Sequence, residues 1–272
     1  MLRKSGIIVL LSLCLITTAF AQRHELGFFV GVSDYNGELN PGFLNFKFLH
    51  PAGGLIYRFN KNAHFSYKFD LLFGTVSAND AVSKDLYQVN RNLSFSSAIQ
   101  EFSGQLEFNF FPYEAGTDIT NFTPYMFCGI SVFHFNPTAD INGVNYDLEP
   151  LHTEMESGYN RIAGAFPFGG GLKLSLGTVN IGVEIGVRKT YTDYLDDVST
   201  TYPNPAALLA TNGPIAVLLS NRSLYPKGEP MQGMQRGDPT NTDWYMFGGF
   251  WVTFTVFNFG KHSCDAFPHW KY

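Results

Sequence analysis

Charge is scarce in this sequence. Only 15% of the 272 residues are Asp, Glu, Lys or Arg, and the formal balance is acidic at −5. An acidic chain has no electrostatic reason to seek nucleic acid. Cysteine is scarcer still, with three residues and no paired spacing of the kind a structural zinc site needs. No Gly-x-Ser-x-Gly elbow is present, so one common route to a serine hydrolase is closed. Beyond the first 21 residues there is no continuous apolar run of ~20 residues, the length a membrane-spanning helix requires.

The amino terminus is a leader of familiar design. Arg3 and Lys4 precede an uncharged apolar stretch, Ile7–Phe20, which ends in Ala19-Phe20-Ala21. Small residues at those two places suit a signal peptidase, so residues 1–21 are expected to be removed and Gln22 to begin the mature chain. A signal anchor is the alternative, but the apolar stretch is short for a span. Leu13 stands before Cys14 where a lipoprotein would want a small residue. The mature chain would carry 16 basic and 23 acidic residues, a net charge of −7. Export permits a disulfide between Cys128 and Cys264. Cys128 falls inside a strand pattern and Cys264 in a terminal tail, so two unpaired thiols are the preferred reading.

Aromatic residues and glycine, by contrast, are plentiful: 27 Phe, 14 Tyr and 27 Gly. They recur with a two-residue period in eight segments, about 25–33, 52–59, 64–76, 93–111, 122–135, 162–176, 179–191 and 244–259. The third is the clearest. Phe65, Tyr67, Phe69, Leu71 and Phe73 alternate with His64, Ser66, Lys68, Asp70 and Leu72. Such alternation is the mark of a strand with two unlike faces. The segments are long enough to cross a bilayer on a tilt, which takes ~9–11 residues. Links between them alternate long and short: 34–51, 60–63, 77–92, 112–121, 136–161, 177–178 and 192–243.

Together these features predict an all-β fold: an eight-stranded antiparallel transmembrane β-barrel with short periplasmic turns and long extracellular loops. The barrel would occupy 22–260 and a periplasmic tail 261–272. The expected location is the outer membrane, multi-pass, with both termini periplasmic and lipid around the wall. A soluble β-sandwich is the rival, but it would not need the alternation of loop lengths.

Few residues suggest chemistry. Ser131 and His134 share a segment, with Asp140 just after it, but positions three apart on a strand point to opposite faces. No catalytic, cofactor-binding or metal-binding set is expected. Lys68, Asp70, Glu101, Glu107, Lys173, Glu184 and Arg188 are placed inside the barrel by the alternation. Eight strands leave room only for side chains, so these charges are expected to pair into a polar plug. Asp193, Asp196 and Asp197 lie at the outer rim without the spacing of a calcium loop, so a solvated or cap-forming turn is expected. In the last long loop, Ala206–Ala210 and Ile215–Leu219 are short apolar helical turns broken by Asn-Gly-Pro. They would either pack on the loop itself or plug the barrel mouth, or else meet another protein.

Five stretches carry a resemblance: RNLSF (91–95), EFNFFPY (107–113), FTPYMFCGISVFHFNP (122–137), FPFGGGLK (166–173) and RKTYTDYLDDVSTTY (188–202). Together they resemble the Bacteroidota outer-membrane barrel family that includes PorG of the type IX secretion system. The resemblance covers most of the mature chain. It implies a non-enzymatic barrel that scaffolds periplasmic ring proteins of the PorK and PorN type, and it supplies no catalytic residue. A stand-alone structural or surface-binding barrel is the alternative, and a lipid-modifying enzyme a distant third. The tail residues Phe267, His269, Trp270 and Tyr272 are the candidate partner contacts. Aromatics there either cap the periplasmic mouth or anchor an interface.

Overall fold

The computed structural model describes residues 23–40, 42, 46–117, 119–224 and 231–257. The leader, the tail with its four aromatic or histidine candidates, and Cys264 lie outside the described residues. Among the described residues there are nine strands: β1 (Arg23–Asn36), β2 (His50–Asn60), β3 (Phe65–Asn79), β4 (Ser94–Asn109), β5 (Asn121–Ile141), β6 (Val144–Asp147), β7 (Ile162–Leu176), β8 (Val179–Thr190) and β9 (Trp244–Phe257). Two α-helices join them, α1 (Leu86–Arg91) and α2 (Pro205–Ser220).

All strands but β6 form one closed antiparallel barrel. Each pairs with its neighbour in chain order, β5 pairs directly with β7, and β9 closes the ring on β1 from Asn36↔Trp244 to His24↔Phe257. This is the eight-stranded antiparallel barrel expected from the alternation. The long loops L1 (37–49), L2 (80–93), L3 (142–161) and L4 (191–243) gather at one end. The turns T1 (61–64), T2 (110–120) and T3 (177–178) gather at the other. The strand ends Arg23 and Phe257 lie at the short-turn end, as an even strand number requires.

One connection differs from expectation. The expected loop 136–161 begins with a further stretch of β5 and a hairpin into β6. Asn142 and Gly143 turn it with φ of 54° and 82°. Asn-Gly favours the two-residue turn that demands positive φ at both places, so the sequence held this signal. In L4 the expectation of helical turns around an Asn-Gly-Pro break is met. Gly213, at φ 83°, and Pro214 split α2 into two pieces. Asn204 caps its start by accepting from the N–H groups of Ala206 and Ala207.

Strand alternation sorts the wall into two chemistries. Outward lie Val30, Phe69, Phe102, Ile130, Ile185 and Phe250; Val30, Ile130 and Phe250 are 68%, 72% and 71% exposed. Inward lie charges and rings that are almost wholly buried. β5, whose apolar residues on both sides leave its orientation open in the sequence, turns Met126, Cys128 and Ile130 out and Tyr125, Phe127 and Phe133 in. Glycine makes the bulky interior possible. A Cβ on Gly182 would sit 2.3 Å from the Trp251 ring, and one on Gly186 would sit 2.6 Å from Phe127.

Candidate functional site

The barrel interior is the first distinctive region. Arg58 on β2 is its hub. Its Nη1 donates to Glu25 Oε2 on β1 and its Nε to Glu107 Oε2 on β4, both at 2.8 Å. The guanidinium also lies 4.3 Å over the Trp251 ring. Glu107 accepts a second cation, Lys173 on β7. Lys68 on β3 reaches Glu184 on β8 and lies 3.2 Å from Asp70. Tyr125 donates to Glu184 at 2.6 Å, and Trp251 Nε1 donates to the Tyr125 hydroxyl at 3.1 Å. Nearer the long loops, Arg188 pairs with Glu101 at 3.1 Å, and Tyr245 donates to that carboxylate at 2.6 Å. Charges without water must find partners. Arg58 finds one directly opposite on the neighbouring strand, in Glu25, while Arg58–Glu107, Lys68–Glu184, Lys173–Glu107 and Arg188–Glu101 cross the lumen and tie together strands that are not neighbours in the sheet. Above them Phe95, Phe133, Phe135 and Phe247 fill the bore. The plug is therefore ionic in its middle and aromatic toward the loops.

The long-loop end is the second region. Two buried arginines pin all four loops. Arg91, the last residue of α1 in L2, binds Asp80 and donates to the carbonyls of Glu38 in L1 and Arg236 in L4. Arg236 donates to Glu154 of L3 at 2.7 Å and to the carbonyls of Asp197 and Ser220 in L4. Burial alone would lower the Arg236 guanidinium, but Glu154 and Asp197 outweigh it and hold it above its usual value. Burial raises Asp197 to about 6, against the pull of Arg236, Thr153 and Tyr159. α2 turns Leu208, Ala216 and Leu219 inward and leaves Leu209 and Leu218 exposed. The inward side of its apolar turns packs on the loops, the 149–151 turn of L3 among them. Of the solvated or cap-forming turn expected at Asp193–Asp197, the solvated half is corrected, since Asp196 and Asp197 are 1% and 2% exposed, while Asp196 does cap its turn by accepting from Val198 N–H. The loops fold over them because Tyr35, Thr153 and Tyr159 supply the donors that water would otherwise give.

The short-turn end is closed by T2. Tyr113 and Ala115 are buried there, and Lys173 lies 5.3 Å from the Tyr113 ring centre. The same turn leaves Phe110, Phe111, Ile119 and the adjoining Phe122 exposed.

Every charge placed inside by the alternation, Lys68, Asp70, Glu101, Glu107, Lys173, Glu184 and Arg188, sits in the bore at 5% exposure or less. Glu25 and Arg58 were missed. Gly53-Gly54 blurs the alternation of β2, although Leu55, Tyr57 and Phe59 flank Arg58 as an outward row. Ser131 and His134 face opposite sides of β5, and Ser131 donates to the Ala165 carbonyl. Asp140 caps its own turn by accepting from Gly143 N–H. The three are not brought together.

No curated protein matches the sequence. Among solved structures, the chain is similar to neisserial surface protein A, with 5% identity, TM-score 0.41, 87% of this chain and 98% of that one. It is also similar to Ail of Yersinia pestis in complex with the heparin analogue sucrose octasulfate, with 9% identity, TM-score 0.36, 86% of this chain and 97% of that one. A third is the N-terminal β-barrel domain of Pseudomonas aeruginosa OprF, with 10% identity, TM-score 0.33, 86% of this chain and 98% of that one. In sequence, the profile of DUF6089, a domain of unknown function, matches residues 4–210, and the chain belongs to that family.

Proposed function

We propose that the chain is a sealed, non-enzymatic outer-membrane barrel that anchors a periplasmic assembly, and that this assembly is the ring of the type IX secretion system. The observation that carries the membrane reading is the inversion of polarity. Rows of exposed Phe, Val, Ile and Leu ring the outside while paired charges fill the inside. Water would punish such a surface, whereas lipid suits it. In that setting the long loops face outward from the cell and the short turns and both termini face the periplasm.

A bore plugged by ion pairs and rings leaves the protein to work by holding something. At the periplasmic end T2 offers Phe110, Phe111 and Ile119, and exposed aromatics of this kind anchor interfaces. The resemblance of the five sequence stretches points to ring proteins of the PorK and PorN type as what is held. A stand-alone surface-binding barrel is the second reading, favoured by the pinned four-loop cap with Leu209 and Leu218 on its outer face. Photo-crosslinking in cells separates the two. Cross-links from T2 and the tail to ring lipoproteins support the anchor. Capture from α2 alone, with none from T2 or the tail, would refute it.

A further inference from the structure

At the root of the cap, Tyr35 ends its side chain between two aspartates. Its hydroxyl lies 2.6 Å from Asp196 Oδ2 in L4 and 2.9 Å from Asp243 Oδ1 at the entry to β9. All three residues are at most 1% exposed. A phenol has one proton to give, so it can donate to one carboxylate only. The other close oxygen contact needs a proton from the carboxyl side. One oxygen each of Glu38, Asp193 and Asp243 lies within 4.8 Å of the others.

The groups facing this cluster come from five places. β1 gives Tyr35, L1 gives Glu38, α1 gives Arg91, L3 gives Glu154, and L4 gives Asp193, Asp196, Asp238 and Asp243. The cation among them, Arg91, is already committed to Asp80. Backbone donors serve the two buried aspartates: Asp243 accepts from Leu195 N–H and Asp196 from Val198 N–H.

We infer that the Tyr35–Asp196–Asp243 group, with Glu38 and Asp193, is a proton-held latch that fastens L1 and L4 to the barrel rim and releases them as pH rises. Burial raises Asp193 to about 7, and burial with the neighbouring carboxylates raises Asp196 and Asp243 well above the usual range. Raised values in the closed form mean that the closed cap binds more protons than the open one. Its stability is therefore full below the ordinary carboxylate value, ~4, and is lost as pH climbs through the raised values. Each proton released on opening makes the open population about tenfold larger per pH unit.

The test is hydrogen exchange on the full mature chain folded in lipid vesicles, from pH 5 to 8.5, read as protection factors. Amides of 37–40 and 194–199 should lose about tenfold protection per pH unit per proton released from pH 5 upward, until the raised carboxyl values are passed, while β4 amides stay protected. Asp243→Asn should flatten that slope, and Asp196→Asn should do the same if the first variant folds poorly. Four outcomes overturn the latch: a flat slope in the unaltered chain, a slope unchanged in both variants, equal loss in β4, or protection restored at pH 8 by millimolar calcium, which would make the holder a cation.

Discussion

Arg58 is the residue on which the interior depends most, and its removal has a calculable signature. Arg58→Met deletes three hydrogen bonds to carboxylates, at 2.8, 2.8 and 3.2 Å. The two carboxylates then fare differently. Glu107 keeps Lys173. Among the described residues Glu25 keeps the neutral donors Asn60 and Thr253, so it becomes a buried charge with no cation hydrogen-bonded to it. Breaking one side of a buried pair costs about 3–5 kcal/mol, whereas replacing both sides by neutral groups of similar shape is often close to neutral. The single variant is thus expected to lose about 3–5 kcal/mol, and Arg58→Met with Glu25→Gln to recover most of that, leaving about 1 kcal/mol. The assay is reversible denaturant unfolding in vesicles, followed by the fluorescence of Trp251, against which the guanidinium is stacked. If the double variant is as unstable as the single one, or if both lose under 1 kcal/mol, the stranded charge on Glu25 is not what the interior is built to avoid.

Three further outcomes follow from the same geometry. Phe69→Arg on the outer face should cost ~2–4 kcal/mol of insertion free energy near the bilayer midplane, measured by folding into liposomes. The inward Ser103→Thr should cost far less, and equal losses would mean inside and outside are exchanged. Gly182→Ala puts a Cβ 2.3 Å from the Trp251 ring. It should destabilise the barrel by about 1–3 kcal/mol, read in the same unfolding assay; an unchanged midpoint would show that Trp251 can move aside. In planar bilayers the protein should show no stable, large conductance steps, because the bore is crossed by Arg58, Lys68, Lys173 and Arg188 with their partners and filled above them by Phe133 and Phe135. Discrete large steps would refute the plug.

Much of this molecule is set by local rules. The two-residue period comes from the pleat itself, so β3 and β8 and their outward rows could be read from Phe65–Phe73 and Val179–Val187 alone. The alternation of short and long links then orders the strands into an up-and-down ring, and the break in α2 follows from Gly213-Pro214. β5 resisted, because Tyr125, Phe127 and Phe133 fill the bore with rings as apolar as those outside. A period argument needs unlike faces. What only the tertiary structure decided is pairing across the lumen and between loops. Arg58 reaches Glu107, 49 positions away, and Arg236 reaches Glu154, 82 positions away. No short-range pattern encodes such contacts, since they depend on ring closure, strand tilt and stagger. For the same reason Asp196 and Asp197 read as a solvated turn in sequence and stand buried in the fold. The chain's acidity is visible residue by residue, but which carboxyls lose their water is fixed only when four loops close over one another.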